Sequence, residues 1–343
     1  MQRFGICFHN VAELEARPGL SGLILQRFPQ EVRHSLTAKG RTKAEQSNGC
    51  ELRFVTESVQ VQITAGSRET DGTILVFRGD FFHSFHQLRA GVAETISLEI
   101  PDRFADVEQA KLNGPLFAPN VWRIFFDRFG GVFHELNAYG YPVRPPSREE
   151  MPRRKLLAYG SSITQGAGAM SHYNGYAQQA ARRLGLDVLN LGLSGSCFCE
   201  REVADHIAGR EDWDAAFLEL GVNMRGAVPA EEFARRTSYL FDRIMERHPD
   251  KPIFATTIYP NRATYSRQSG HPHQDAEQEY NEILRAYAAS RAGSRLHLFE
   301  GDRIMSDFSF LTSDLIHPSE YGHIRMGENL ENLMSPLLSG YFD

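Results

Sequence analysis

The chain has 343 residues, 41% of them hydrophobic and 23% charged. That is too much for one small core and is an ordinary globular balance, so the expectation is two folded domains stabilised by burial rather than by disulfides or metals. The net charge of -6 is spread along the chain, which argues against nucleic acid or an anionic membrane surface as a partner.

No apolar run approaches the roughly 18 to 20 residues that span a bilayer, and MQRFGICFHN lacks the charged start and long apolar core of a secretion signal. A cytoplasmic location is expected. The four cysteines, Cys7, Cys50, Cys197 and Cys199, do not form the evenly spaced set of a secreted scaffold and read as reduced thiols.

Up to about residue 145, apolar and polar residues alternate over short stretches rich in β-branched and aromatic side chains. ELRFV (51–55), SVQVQIT (58–64), TILVFRG (73–79), DFFHSFHQL (80–88) and ETISLEI (94–100) predict strands, and VWRIFFDRFGGVFHELNAYG (121–140) predicts two more, with Gly130 and Gly131 supplying the positive φ of a tight hairpin. Strands without intervening helices predict an all-β sandwich of jelly-roll type over 1–145. The proline-rich YPVRPPSREEMPRRK (141–155) reads as a linker.

From there on the rhythm changes. KLLAYG (155–160), DVLNLG (187–192), AAFLELG (215–221), PIFATTIY (252–259) and RLHLFEG (295–301) are apolar enough to be strands covered on both faces. The segments between them place apolar residues three and four apart, and SEYGHIRMGENLENLMSPLL ends the pattern as a last helix. This alternation predicts an α/β domain over 146–343, a doubly wound parallel sheet.

In such a sheet the chemistry lies beyond the carboxyl ends of the strands. Ser161, Ser162 and Thr164 follow the first strand, Ser194, Gly195 and Ser196 the second, and Asn223 the third, while Asp314 and His317 precede the last helix. In SDLIHPSEYG a carboxylate and an imidazole three residues apart can meet, the carboxylate taking the Nδ1 proton and leaving Nε2 as a base. A serine hydroxyl needs such a base. Acyl transfer also needs donors aimed at the oxyanion, and the N–H groups of Ser162 and Gly195 with the Asn223 amide complete the set. Ser162, Asp314 and His317 are therefore the candidate catalytic residues, and Ser162, Gly195 and Asn223 the candidate oxyanion hole.

GSSIT, GLSG, GVN and DLIHP, in that order, resemble the blocks of the SGNH (GDSL-type) hydrolases, flavodoxin-like serine esterases. The resemblance covers about 190 residues and implies the same roles: Ser162 as nucleophile, Gly195 and Asn223 in the oxyanion hole, His317 as base. With a sandwich in front, the chain is similar to the GDSL branch that includes an acyltransferase-like enzyme of polyketide tailoring and to sandwich-plus-SGNH carbohydrate esterases. It departs in two places, since Ser161 stands where G-D-S has aspartate and Met224 ends what is usually G-x-N-D.

The resulting expectation is a serine esterase that needs no cofactor or metal and hydrolyses short acyl esters, O-acetyl groups of a carbohydrate or polyol, through an acyl-enzyme. That substrate rests on the family analogy and the sandwich. The rivals are an acyltransferase using the same residues, an inert carbohydrate-binding protein and a structural protein; homo-oligomerisation is left open. Competing readings of single residues are Ser161 or Ser194 as nucleophile, Asn223 as a cap, GSSITQGAGAMSHYNGYAQ as a nucleotide loop, Glu219 as a structural hydrogen-bond partner, His323 as a packed or exposed helix residue, and Cys197 and Cys199 with His271 and His273 as a metal site.

Overall fold

The structure is a computed structural model and describes residues 1–268 and 270–342. Two compact units are present: Met1–Arg33 with Ala44–Arg153, and His34–Lys43 with the chain from Arg154 onward. The short segment 34–43 thus clusters with the second unit although it comes early in the sequence. Among the described residues no helix is long and apolar enough to cross a membrane.

The first unit contains β1 (Gln2–Arg3), β2 (Ile6–His9), β3 (Glu13–Glu15), β4 (Leu23–Gln26), β5 (Glu51–Phe54), β6 (Gln60–Ser67), β7 (Gly72–Arg78), β8 (Phe81–Leu88), β9 (Ala93–Glu99), β10 (Trp122–Asp127) and β11 (Gly131–Asn137). They form two antiparallel sheets, ordered β1-β2-β5-β10-β7-β8 and β3-β4-β11-β6-β9. Alternating residues from both sheets, among them Phe8, Leu52, Val76, Trp122 and Ile124 from one and Val61, Ile63, Leu98 and Phe133 from the other, share one buried cluster. This is a sandwich: each sheet hides one face against the other.

Two details differ from the sequence expectation. Helices α1 (Gln30–Ser35) and α2 (Ala38–Ala44) interrupt the strand pattern. The stretch around Gly130 and Gly131 is not a hairpin, because β10 pairs with β5 and β7 in one sheet while β11 pairs with β4 and β6 in the other. The positive φ there belongs to Arg128, at 52°. Gly131 is needed for space instead, since a Cβ on it would lie 2.4 Å from Phe126 Cδ1.

In the second unit β12 (Lys155–Tyr159), β13 (Asp187–Asn190), β14 (Ala215–Glu219), β15 (Ile253–Thr256) and β16 (Leu296–Phe299) form one parallel sheet ordered β13-β12-β14-β15-β16. Taken by first appearance the order is 2-1-3-4-5, the flavodoxin-like arrangement, whose crevice opens between the first and third strands. The connecting helices are α3 (Ser162–Gln165), α4 (Tyr176–Arg183), α5 (Arg201–Gly209), α6 (Ala230–Arg247), α7 (Pro272–Ser290), α8 (Gly301–Ile304) and α9 (Glu320–Phe342). Buried residues of α4 and α9, including Tyr176, Ala180, Met326 and Leu330, pack with Leu156, Ala158, Phe217 and Phe254 of the sheet. Every residue of β14 and β15 is buried, as a strand covered on both faces must be.

Candidate active site

The first strand of the parallel sheet stops at Tyr159, and the chain turns at Gly160. No larger residue fits there, since a Cβ would lie 2.3 Å from Thr164 Oγ1 and 2.7 Å from a Glu219 carboxylate oxygen. Ser161 then caps α3, its Oγ accepting the Ile163 N–H at 3.1 Å. That is the local hydrogen bond expected of a serine just before a helix, and it accounts for one of the two adjacent hydroxyls. The other, on Ser162, opens the helix with its N–H free of an intrahelical partner.

The turn is tied to the neighbouring strand by a buried carboxylate. Glu219, the last residue of β14, accepts hydrogen bonds at one oxygen from the Ser161 N–H (2.8 Å), the Ser161 hydroxyl (2.7 Å) and the Thr164 hydroxyl (3.0 Å). Burial pushes its pKa up, and these donors offset part of that rise. A carboxylate thus does meet this turn, as the G-D-S pattern would suggest, but it comes from β14 rather than from position 161.

The imidazole is set by its own loop. Asp314 Oδ1 accepts the backbone N–H groups of Ile316 (2.8 Å) and His317 (2.9 Å) and the Thr312 hydroxyl (2.9 Å). Leu315, at φ 58°, makes the left-handed bend that lets the loop close on this carboxylate. Oδ2 is left for His317 Nδ1, 2.7 Å away. Burial alone would raise the Asp314 pKa, but the hydrogen bonds from His317, Ile316 and Thr312 outweigh it and hold the carboxyl far below its ordinary range. A charged Asp314 keeps the proton on Nδ1, so Nε2 presents its lone pair and accepts the Ser162 hydroxyl at 2.8 Å. Ser162 itself is 6% exposed.

The loops after β13 and β14 supply further donors. Asn190 Nδ2 donates to the Thr164 carbonyl (2.8 Å) and Gln165 Oε1 accepts the Ser194 N–H (2.9 Å), which locks the β13 loop onto α3. Gly195 then adopts φ 63°, and its N–H has no acceptor among the described residues. Asn223 Oδ1 accepts the Cys197 N–H at 3.1 Å, which fixes the orientation of the amide and leaves Nδ2 unengaged. Ser162, Gly195 and Asn223 thus each carry an N–H without an acceptor among the described residues, at the carboxyl ends of three adjacent strands.

Helix α9 fastens the two halves of the site together. His323 is fully buried; its Nδ1 accepts the Tyr176 N–H (3.2 Å) and its Nε2 donates to the Ala167 carbonyl (3.0 Å). Burial pushes its pKa down to about 4, so it stays neutral. Glu320 accepts from the Met170 N–H and from Asn174 Nδ2, both at 2.7 Å. Gly168 lies so close to the histidine loop that a Cβ on it would stand 1.9 Å from the Pro318 carbonyl oxygen.

Of the other residues singled out in the sequence, Cys197 and Cys199 are buried free thiols. His271 and His273 meet edge to face, with ring centroids 5.5 Å apart, and among the described residues no group of three or more His, Cys, Asp or Glu side chains could hold a metal ion. One side chain beside the site had no signal in the sequence: the ammonium of Lys39, from α2, reaches Gly195.

Residues 158–325 match the profile of the GDSL-like lipase/acylhydrolase family. The second unit is a GDSL-like lipase/acylhydrolase domain. No curated protein matches the chain significantly in sequence. Among solved structures the chain is similar to the salicylyl-acyltransferase SsfX3 from a tetracycline biosynthetic pathway, with a TM-score of 0.80 at 17% identity over 97% of this chain and 95% of that one. It is also similar to a family two carbohydrate esterase from Clostridium thermocellum, at 0.65 and 14% over 86% and 93%. An acetyl xylan esterase from the rumen bacterium Butyrivibrio proteoclasticus matches at 0.58 and 12% over 100% and 97%. At such identities the likeness is one of fold, and it extends over the sandwich as well as the GDSL-like domain.

Proposed function

We propose that the protein is a serine esterase that hydrolyses short acyl esters, O-acetyl groups on a carbohydrate or polyol, through an acyl-enzyme. The observation that carries this is the chain of hydrogen bonds from Ser162 to His317 (2.8 Å) to Asp314 (2.7 Å), together with three N–H donors that have no acceptor among the described residues.

In this reading Ser162 Oγ attacks the ester carbonyl while its proton passes to His317 Nε2. The imidazolium is stabilised by Asp314, whose carboxylate stays charged. The Ser162 and Gly195 N–H groups and Asn223 Nδ2 receive the oxyanion as it forms. His317 returns the proton to the departing alcohol, water adds to the acyl-serine with His317 again as base, and the acid leaves. Fold kinship to carbohydrate esterases supports the acetyl-carbohydrate substrate.

A second reading is favoured by the likeness to the salicylyl-acyltransferase along nearly the whole chain. The same residues would form the same acyl-enzyme, and an acceptor alcohol would take the place of water. The test is a panel of p-nitrophenyl esters of rising chain length with acetylated sugars, run with and without acceptor alcohols on wild type and Ser162→Ala. Hydrolysis that is lost in Ser162→Ala supports the esterase, and transfer exceeding hydrolysis supports the second reading. Equal turnover by both proteins refutes each.

A further inference from the structure

Helix α2 (Ala38–Ala44) begins at Thr37, whose Oγ1 accepts the Gly40 N–H at 3.1 Å. It rests on the loop that holds Gly195: a Cβ on Gly40 would touch Ser196 Cβ at 3.6 Å. Lys39, one residue earlier, carries its side chain onto Gly195. A Cβ on Gly195 would lie 2.4 Å from Lys39 Nζ and 2.8 Å from Cε. Glycine is therefore required at 195 twice over, for its φ of 63° and for the space Lys39 takes.

The ammonium is unengaged. Lys39 is exposed and has neither an ion pair nor a hydrogen bond among the described residues. The chain as a whole carries a net charge of -6, which on its own would disfavour an anionic substrate. An oxyanion already surrounded by three neutral donors has no room for a fourth direct partner, so a cation on the flank of Gly195 faces what lies next to the reacting carbonyl. An ammonium pairs best there with a carboxylate or phosphate, through a charge-assisted hydrogen bond.

We propose that Lys39 is a specificity-determining residue, and that the protein prefers esters bearing an anionic group within a few atoms of the carbonyl held at Gly195. This rests on the esterase reading above and narrows its substrate class. Hydrolysis of three probes tests it: p-nitrophenyl acetate, which is neutral; the mono-p-nitrophenyl ester of succinic acid, with the charge on the acyl side; and 4-acetoxybenzoate, with the charge on the alcohol side.

The expected result is that Lys39→Met lowers the kcat/KM ratio of one anionic ester to the neutral ester by roughly tenfold, while Lys39→Arg keeps that ratio near wild type. Whichever anionic ester responds tells which side of the carbonyl Lys39 reads. An unchanged ratio for both anionic esters in Lys39→Met overturns the proposal. So does an equal loss on all three probes, which would put the ammonium on the oxyanion itself. Labelling of Ser162 by a fluorophosphonate separates the two levels: no labelling of wild type overturns the esterase reading, and labelling without charge selectivity overturns only the role of Lys39.

Discussion

Replacing Asn223 by aspartate and by alanine separates its two hydrogen-bonding duties, because one oxygen of the amide is occupied and its nitrogen is not. In Asn223→Ala the Cys197 N–H loses its acceptor, 3.1 Å away, and a partly buried donor left unpaired costs about 1–2 kcal/mol of stability. The free Nδ2 is lost as well, and removal of one oxyanion donor lowers kcat by about 10²- to 10³-fold. In Asn223→Asp the oxygen that serves Cys197 is kept, so stability should stay within about 0.5 kcal/mol of wild type. The nitrogen, however, becomes a carboxylate oxygen facing the developing negative charge. Two like charges about 4 Å apart repel by about 4 kcal/mol at an effective dielectric constant near 20. The aspartate variant should therefore be the more stable of the two and the less active, by at least about tenfold. Urea denaturation at constant m, with kcat on p-nitrophenyl acetate, measures both. An aspartate variant more active than the alanine one would refute the placement of Nδ2 at the oxyanion.

Three further outcomes are expected. Ser162→Ala should abolish fluorophosphonate labelling and lower kcat by at least about 10³-fold with little change in stability, as the side chain anchors nothing else; retained turnover would remove Ser162 from the reaction. Asp314→Asn should lower kcat by about 10²- to 10⁴-fold, since the amide no longer fixes the Nδ1–H tautomer. Because the Asp314 pKa is lowered from 3.8, its contribution to stability is complete above that value and drains as pH falls below it. The variant should show a correspondingly flatter acid limb in denaturation midpoints. Buried His323 titrates near 4 rather than at its ordinary 6.5. Its neutrality favours the folded state above pH 6.5, and the advantage is lost as pH falls from there towards 4, by up to about 3 kcal/mol. His323→Gln should lose that dependence when denaturation is compared at pH 7 and pH 4.5.

The parallel sheet was legible in the sequence because its strands are buried on both faces: AAFL and IFA run apolar without a break before the polar residue that ends each strand, whereas the long helices show apolar residues three and four apart. The long sandwich strands were legible for the opposite reason, their alternation. Strands β1 to β4 were not, since QR, ICFH, ELE and LILQ are too short to establish a period. Helices α1 and α2 escaped likewise, the second with a glycine in its middle and no acidic residue in its first turn.

At the site, the order of four short motifs sufficed to bring Ser162, His317 and Asp314 to attention. The hydrogen bonds that hold Ser161 to Glu219 could be guessed only in kind. Lys39 could not be found at all, because its position at Gly195 depends on how the segment 34–43 docks, more than 150 residues away in sequence.

The fastening of 166–174 to 317–323 by His323, Glu320 and the close passage of Gly168 beneath Pro318 has a practical consequence for anyone grafting this chemistry onto another scaffold. The hydroxyl and the imidazole are not carried on two independent loops that can be exchanged one at a time. They travel as a matched pair, and a chimaera that swaps only one of them inherits a register error where serine and histidine must meet.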